Sequence, residues 1–206
     1  MLSEMDIKDR FRGYLPVILD LETGGFNNLV NPVLEIACSF VKMGSGQLEI
    51  DSEFCWPVSP FPGSTIESSS LKVTGIDPND PERNQLDEKT AFNEFFKIVR
   101  SKIKFHGCTR AIAVAHNASF DHGFIQSACE RSQIKRNPFH PFSTIDTASL
   151  AAVAYGHTVL SESCARAGLA FDDSKAHSAA YDANRTAELF CTIVNNSSFE
   201  HVAAKD

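Results

Sequence analysis

Three apolar runs, at residues 14–21, 33–41 and 54–58, have the length and β-branched content of buried strands, with Gly-, Asn- and Ser-rich turns between them. They predict an antiparallel start to a sheet. The segment 74–83, TGIDPNDPER, is rich in turn residues, and its two prolines bias their predecessors away from helix, so it is expected to be a loop. From 87 to 104, Phe92, Phe95, Phe96, Val99 and Ile103 recur at helical spacing behind Asp87, a natural N-cap.

The pattern then alternates. A strand is expected over 110–115, a helix over 121–134, a strand over 142–145 and a helix over 147–155. Two more helices follow, over 161–167 and 179–195, the last repeating Ala183, Ala187, Phe190 and Val194 on one face. Strands first and strand–helix alternation afterwards imply an α/β fold, a mixed five-stranded sheet flanked by helices in three layers. The 206 residues fit one domain, with a core over about 9–195 and a polar, flexible tail over 196–206.

Composition narrows the class. Asp20, Glu35 and His116 interrupt the apolar segments well before the roughly 20 residues of a membrane span, and the N-terminus lacks the apolar core of a signal peptide. A cytoplasmic protein is expected. The six cysteines include no C-x-x-C pair, which speaks against a disulfide framework or a structural zinc site and for reduced core residues.

The formal charge of −7 is unusual for a nucleic-acid binder. Acids that hold divalent cations do not present their formal charge to a phosphate, however. Arg10 and Arg12 flank Phe11, Lys102 and Lys104 end a helix, Arg110 opens a strand, and Arg131, Lys135 and Arg136 follow a helix. These are expected either to form one basic patch or to be ordinary solvated charges.

Asp20 and Glu22 lie two apart at the end of a strand, so the period-2 alternation puts both carboxylates on one face, where they can share a cation. Two exposed acids would be the ordinary reading of D-x-E, but the run PVILDLE buries this pair, and buried carboxylates are costly unless paired or metal-bound. Asp121 falls in a first helical turn, where an acid also complements the helix dipole. His177 and Asp182 are five apart, about 140° around a regular helix, so both cannot face one site from within it. Asp182 is therefore expected in the first turns of the last helix and His177 on a mobile loop before it.

Oxygen ligands without cysteine point to Mg2+ or Mn2+. Two ions about 4 Å apart would clamp the attacking and leaving oxygens at phosphorus. Imidazole, with an ordinary pKa of about 6.5, suits a general base toward the attacking water.

The segments DLETGGF, HNASFD and HSAAYD resemble the three motifs of the DEDDh 3′-to-5′ exonucleases. RFRGY, TGIDPNDP, KRNPFHPF and RTAELF further resemble the bacterial ribonuclease T family, over about residues 9–195. The resemblance implies a ribonuclease H-like fold, with Asp20, Glu22, Asp121 and Asp182 as metal ligands and His177 as general base. It implies a Mg2+-dependent homodimer that trims the 3′ ends of tRNA and other structured RNAs, and DNA 3′ ends as well. Phe26, Phe120 and Phe142 match positions that stack on terminal bases, and Arg10, Arg12, Lys104, Arg110 and Lys135 match nucleic-acid-binding positions, where the patch of one subunit faces the active site of the other. Val73 stands where the family can carry a further Phe, and Ser69 where it can carry an acid. The alternatives are a proofreading-type DNA exonuclease, against which the RFRGY and NPFHPF segments argue, and a non-catalytic nucleic-acid-binding module, against which the intact five-residue set argues.

Overall fold

The computed structural model describes residues 6–197, so the expected flexible tail lies, beyond Ser197, outside the described residues. A short helix α1 (Ile7–Arg10) leads into three long strands, β1 (Tyr14–Thr23), β2 (Val33–Gly44) and β3 (Gln47–Pro57). Then come α2 (Ser68–Thr74), α3 (Glu88–Phe105), β4 (Arg110–Ala115), α4 (Ala118–Arg131), β5 (Phe139–Asp146), α5 (Thr147–Tyr155), α6 (Leu160–Arg166) and α7 (Ala179–Asn196). The strands form one sheet in the order β3-β2-β1-β4-β5. β1, β2 and β3 pair antiparallel, whereas β1, β4 and β5 run parallel, which makes the sheet mixed as the sequence pattern predicts.

The aromatic spacing of α3 explains the core. Phe92, Phe95 and Phe96 are fully buried, and the Phe95 ring lies 5.6 Å from Trp56 of β3 and 5.7 Å from Phe139 of β5. One helix therefore ties both edges of the sheet to its centre. Asp87 is the N-cap, accepting the Thr90 N–H at 3.0 Å. Helix α7 packs across β1, β2 and β3. Its Ala179 and Ala183 meet Ala37 of β2 in a cluster of small buried residues, which lets the start of the helix approach the sheet closely.

Several boundaries differ from the sequence pattern. Helix α4 begins three residues before Asp121, and its first amides are satisfied from a distance: Asp146 Oδ1 accepts the N–H groups of Asn117 at 2.8 Å and Ala118 at 3.3 Å. No local cap announces that start. Strand β3 starts seven residues before Phe54, because its apolar positions alternate along a sheet edge rather than forming a run. Helices α1 and α2 and the short 3-10 turns at Pro81–Arg83 and Asp173–Lys175 are too brief to leave a periodic signal. All six cysteines are free, and Cys55 is exposed rather than part of the core.

Phe95→Ala is expected to cost about 3–5 kcal/mol of unfolding free energy, whereas Asp87→Ala removes one cap and about 1 kcal/mol. Urea denaturation of both variants checks the contrast; equal losses would show that the aromatic cluster does not carry the core.

Candidate active site

Asp20 and Glu22 leave the C-terminal end of β1 on the same face, as alternation requires, and Ala37 pairs with Asp20 in the neighbouring strand. The small side chain leaves room for α7. Asp182 sits in the first turn of that helix and meets the pair, so that one oxygen from each of Asp20, Glu22 and Asp182 lies within 4.8 Å of the others. Asp121, in the first turn of α4, is buried beside this trio, and its Oδ1 accepts the Leu21 N–H at 3.0 Å. His177 lies outside α7, in the loop before the helix, with φ of 65°. Its backbone N–H is held by Asp182 Oδ2 at 2.9 Å, so the carboxylate fixes the loop as it faces the trio.

All five residues line one cleft of about 310 Å3, together with Phe26, His116, Asn117 and Phe120. The acids repel one another there. Burial first, then the charges of Asp121, Glu22, Asp182 and Glu35, push Asp20 well above the usual carboxylate range. Burial and the charges of Asp182, Glu35 and Asp121 raise Glu22 to about 8. Burial raises Asp121 to about 7 against the pull of backbone hydrogen bonds, and it raises Asp182 against the bond from His177. Asp182 Oδ1 is buried without a hydrogen-bond partner, the fourth carboxylate lies alongside, and the donors are all hard oxygens. That is the donor set a Mg2+- or Mn2+-sized cation takes.

In the sequence Glu35 and His116 stand out only as interruptions of apolar segments, yet both adjoin the site. Glu35 pairs with Glu22 across β1 and β2, a neighbour that only strand register reveals. His116 bridges Thr147 Oγ1 at 3.0 Å and the Thr158 carbonyl at 2.7 Å, joining the cleft wall to α5 and the loop after it. A second hollow of about 210 Å3 adjoins the cleft, lined by Phe26 and Phe120 together with Ser69 and Val73 of α2. The two phenylalanine rings meet edge to face at 6.1 Å. Phe142, 82% exposed on the edge strand β5, is not among the residues that line either hollow.

The basic residues lie elsewhere. Arg12 precedes β1 and Arg110 opens β4, at the ends of these strands opposite to the acids, while Lys104 lies in the last turn of α3 and Lys135 on the connection that leads into β5. Six residues at about 3.3 Å each separate Tyr14, beside Arg110, from Asp20, a span of about 20 Å. Arg12, Lys104, Arg110 and Lys135 are exposed. Arg10 donates to Ser197 Oγ at 2.9 Å and to the Val194 carbonyl, near the end of α7. Lys102 and Arg131 are withdrawn from the expected patch, because they pair with Asp51 and Glu88.

A mixed sheet with two carboxylates from one strand end and two from helix starts around one point, faced by a loop histidine, has the make-up of an exonuclease of the ribonuclease H-like class. The family described as Exonuclease matches residues 17–190. Ribonuclease T of Hahella chejuensis is 54% identical over 187 residues, 90% of this chain and 86% of that protein. Ribonuclease T of Escherichia coli is also 54% identical, over 91% of this chain and 87% of the relative. The chain belongs to the ribonuclease T family of exonucleases. Among solved structures, Escherichia coli exonuclease I in complex with a dT13 oligonucleotide aligns with a TM-score of 0.67 at 15% identity, over 89% of this chain. A 3′-exonuclease described in 3′-end-specific recognition of a histone mRNA stem-loop aligns at 0.69 and 17% identity, over 88%. The chain spans only 41% and 63% of those two longer chains, and at these identities the likeness is one of fold.

The raised values of Glu22 and Asp121 set a pH dependence for the cation-free protein. Folding favours their protonated forms, so the contribution to stability is complete below their ordinary values of 4.5 and 3.8 and is lost as pH rises through about 8 and about 7. In excess EDTA the melting temperature is expected to fall between about pH 5 and pH 8, and magnesium is expected to restore it most at the upper end. A melting temperature indifferent to both would mean that the acids do not share one buried cation site.

Proposed function

We propose that this protein is a 3′-to-5′ exoribonuclease that hydrolyses the terminal phosphodiester of RNA, trimming the 3′ ends of tRNA and other structured RNAs in the cytoplasm and acting on DNA 3′ ends as well. The observation that carries the reading is the convergence of Asp20, Glu22, Asp121, Asp182 and His177 on one cleft, in a chain 54% identical to proteins named ribonuclease T. The single exonuclease domain expected over about residues 9–195 would carry this activity.

Asp20, Glu22, Asp121 and Asp182 would hold two Mg2+ ions, or Mn2+ in their place, which would supply charge neutralisation at the phosphate and acidify the attacking water. His177 would take the proton from that water. Its backbone bond to Asp182 supports this, since the residue that holds the cation side also holds the loop that carries the base. Phe26 and Phe120 would stack on the terminal bases, a contact worth about 1–3 kcal/mol per base and tolerant of sequence. Val73 would close the adjoining hollow with an aliphatic wall, giving shape without a stacking face. Phe142 would reach a base only outside the cleft that the other two line.

The basic residues support a homodimer. Arg10, Arg12, Lys104, Arg110 and Lys135 would bind phosphates, yet in one chain the strand ends that Arg12 and Arg110 flank lie about 20 Å from the acids at the other end of β1. A partner subunit reversed against the first would bring that patch to the active site.

The test follows RNA with a 3′ overhang, labelled at its 5′ end. Wild type in magnesium is expected to shorten it from the 3′ end, and EDTA or Asp20→Ala to abolish shortening while binding persists. His177→Ala is expected to lower the rate at saturating metal without weakening binding. Shortening by Asp20→Ala at the wild-type rate would refute the metal assignment, and faster shortening of a matched DNA overhang would favour the proofreading-type reading. Binding without shortening in every lane would leave a nucleic-acid-binding module.

Replacing Arg10, Arg12 and Arg110 by alanine is expected to raise KM and flatten the dependence of binding on salt, by up to about 0.7–0.9 in log–log slope per lost phosphate contact. An unaltered slope would reduce the patch to solvated surface.

A further inference from the structure

We infer that Arg131, at the far end of α4 from the acids, is a positioning residue that fixes the Phe26 loop over the cleft. Its NH2 donates to Glu88 Oε2 at 2.7 Å and its Nε to Oε1 at 3.3 Å, while NH1 donates to the Asn28 carbonyl at 2.8 Å. The guanidinium lies 4.1 Å from the centre of the Phe61 ring. Four segments therefore meet on one planar cation: the loop after β1, the segment before α2, the start of α3 and the end of α4. Glu88 is only 6% exposed and also receives the Ser132 hydroxyl at 3.2 Å, so its charge depends on this partner.

The loop that Arg131 grips carries Phe26 two residues away. Much of the loop's remaining order is local. Asn31, 1% exposed, accepts the Asn27 N–H at 2.8 Å and donates to the Thr65 carbonyl at 2.7 Å, and Gly24 receives the Glu67 N–H at 2.7 Å. Those bonds give the loop its shape. They do not set its distance from α4, which carries Phe120 and Asp121. Arg131 does, and the close approach is visible again at Gly123, where a Cβ would stand 2.7 Å from Asn28 Nδ2. One rigid helix thus holds Phe120 at its first turn and, from its last, the loop that presents Phe26, fixing the spacing of the two rings. Only a guanidinium fork reaches carboxylate and carbonyl together.

This inference rests on the reading that Phe26 contacts the terminal bases, and the experiment separates the two. KM and kcat are measured on a short single-stranded 3′ overhang for wild type, Arg131→Lys, the paired change Arg131→Met with Glu88→Met, Phe26→Ala, and Phe26→Ala combined with each. The paired change leaves no buried charge unpartnered, and Arg131→Lys keeps the charge facing Glu88, so folding survives in at least one arm. Expected is a KM raised about 5- to 10-fold by either Arg131 change with kcat within about twofold, and no further rise in the Phe26→Ala background. Wild-type KM in both Arg131 variants, or a full rise when Phe26 is already alanine, would overturn the inference while the stacking reading stands. A silent Phe26→Ala would overturn the stacking reading, and the inference with it.

Discussion

Like charges crowded at one point are the constraint on which the rest of this structure depends. Asp20, Glu22, Asp121 and Asp182 come from two neighbouring positions on β1 and the first turns of two helices, and Glu35 adds a fifth carboxylate beside them. Asp20, Glu22, Asp121 and Asp182 are pushed toward their protonated forms by burial and, for the pair on β1, by their neighbours' charges. A chain folding without cations keeps protons there instead. The surroundings are arranged to hold the acids together regardless: small residues at Ala37, Ala179 and Ala183 bring α7 down, a backbone amide of β1 pins Asp121, and Asp182 is tied to the loop of His177.

The frame around the site works by long-range ties more than by local ones. Asp146, at the end of β5, supplies the missing cap of α4 as well as the cap of its own helix α5. His116 then links the same turn to Thr147 and Thr158. Two strand-to-helix passages thus share one set of hydrogen bonds, and they place Asp121 without needing a regular capping sequence before it.

That reliance explains what could be read in the chain. Period-2 alternation placed Asp20 and Glu22 on one face, and the angular argument correctly put His177 outside the last helix, since both depend on residues close in sequence. The aromatic spacing of α3 was legible for the same reason. The start of α4 was not, because its cap lies 28 or 29 residues away, and Glu35 was not, because register across β1 and β2 decides its neighbour. Nor did the sequence distinguish spent cations from available ones: Arg131 and Glu88 are 43 residues apart, yet their pairing withdraws Arg131 from the expected basic patch.

The separation of charge along the sheet has an electrical consequence. With acids at one pole and exposed Arg12 and Arg110 near the other, ionised acids give β1 and β4 a separation of charge along the strands, superimposed on a formal net charge of −7. Two dipoles side by side attract only when reversed, so this field opposes the −7-on-−7 repulsion in one orientation and reinforces it in the other. Loading the acid pole with divalent cations weakens that dipole and lowers the net charge at once. In the proposed homodimer, metal occupancy and the orientation in which the two chains meet would thereby be coupled through space, without any moving part.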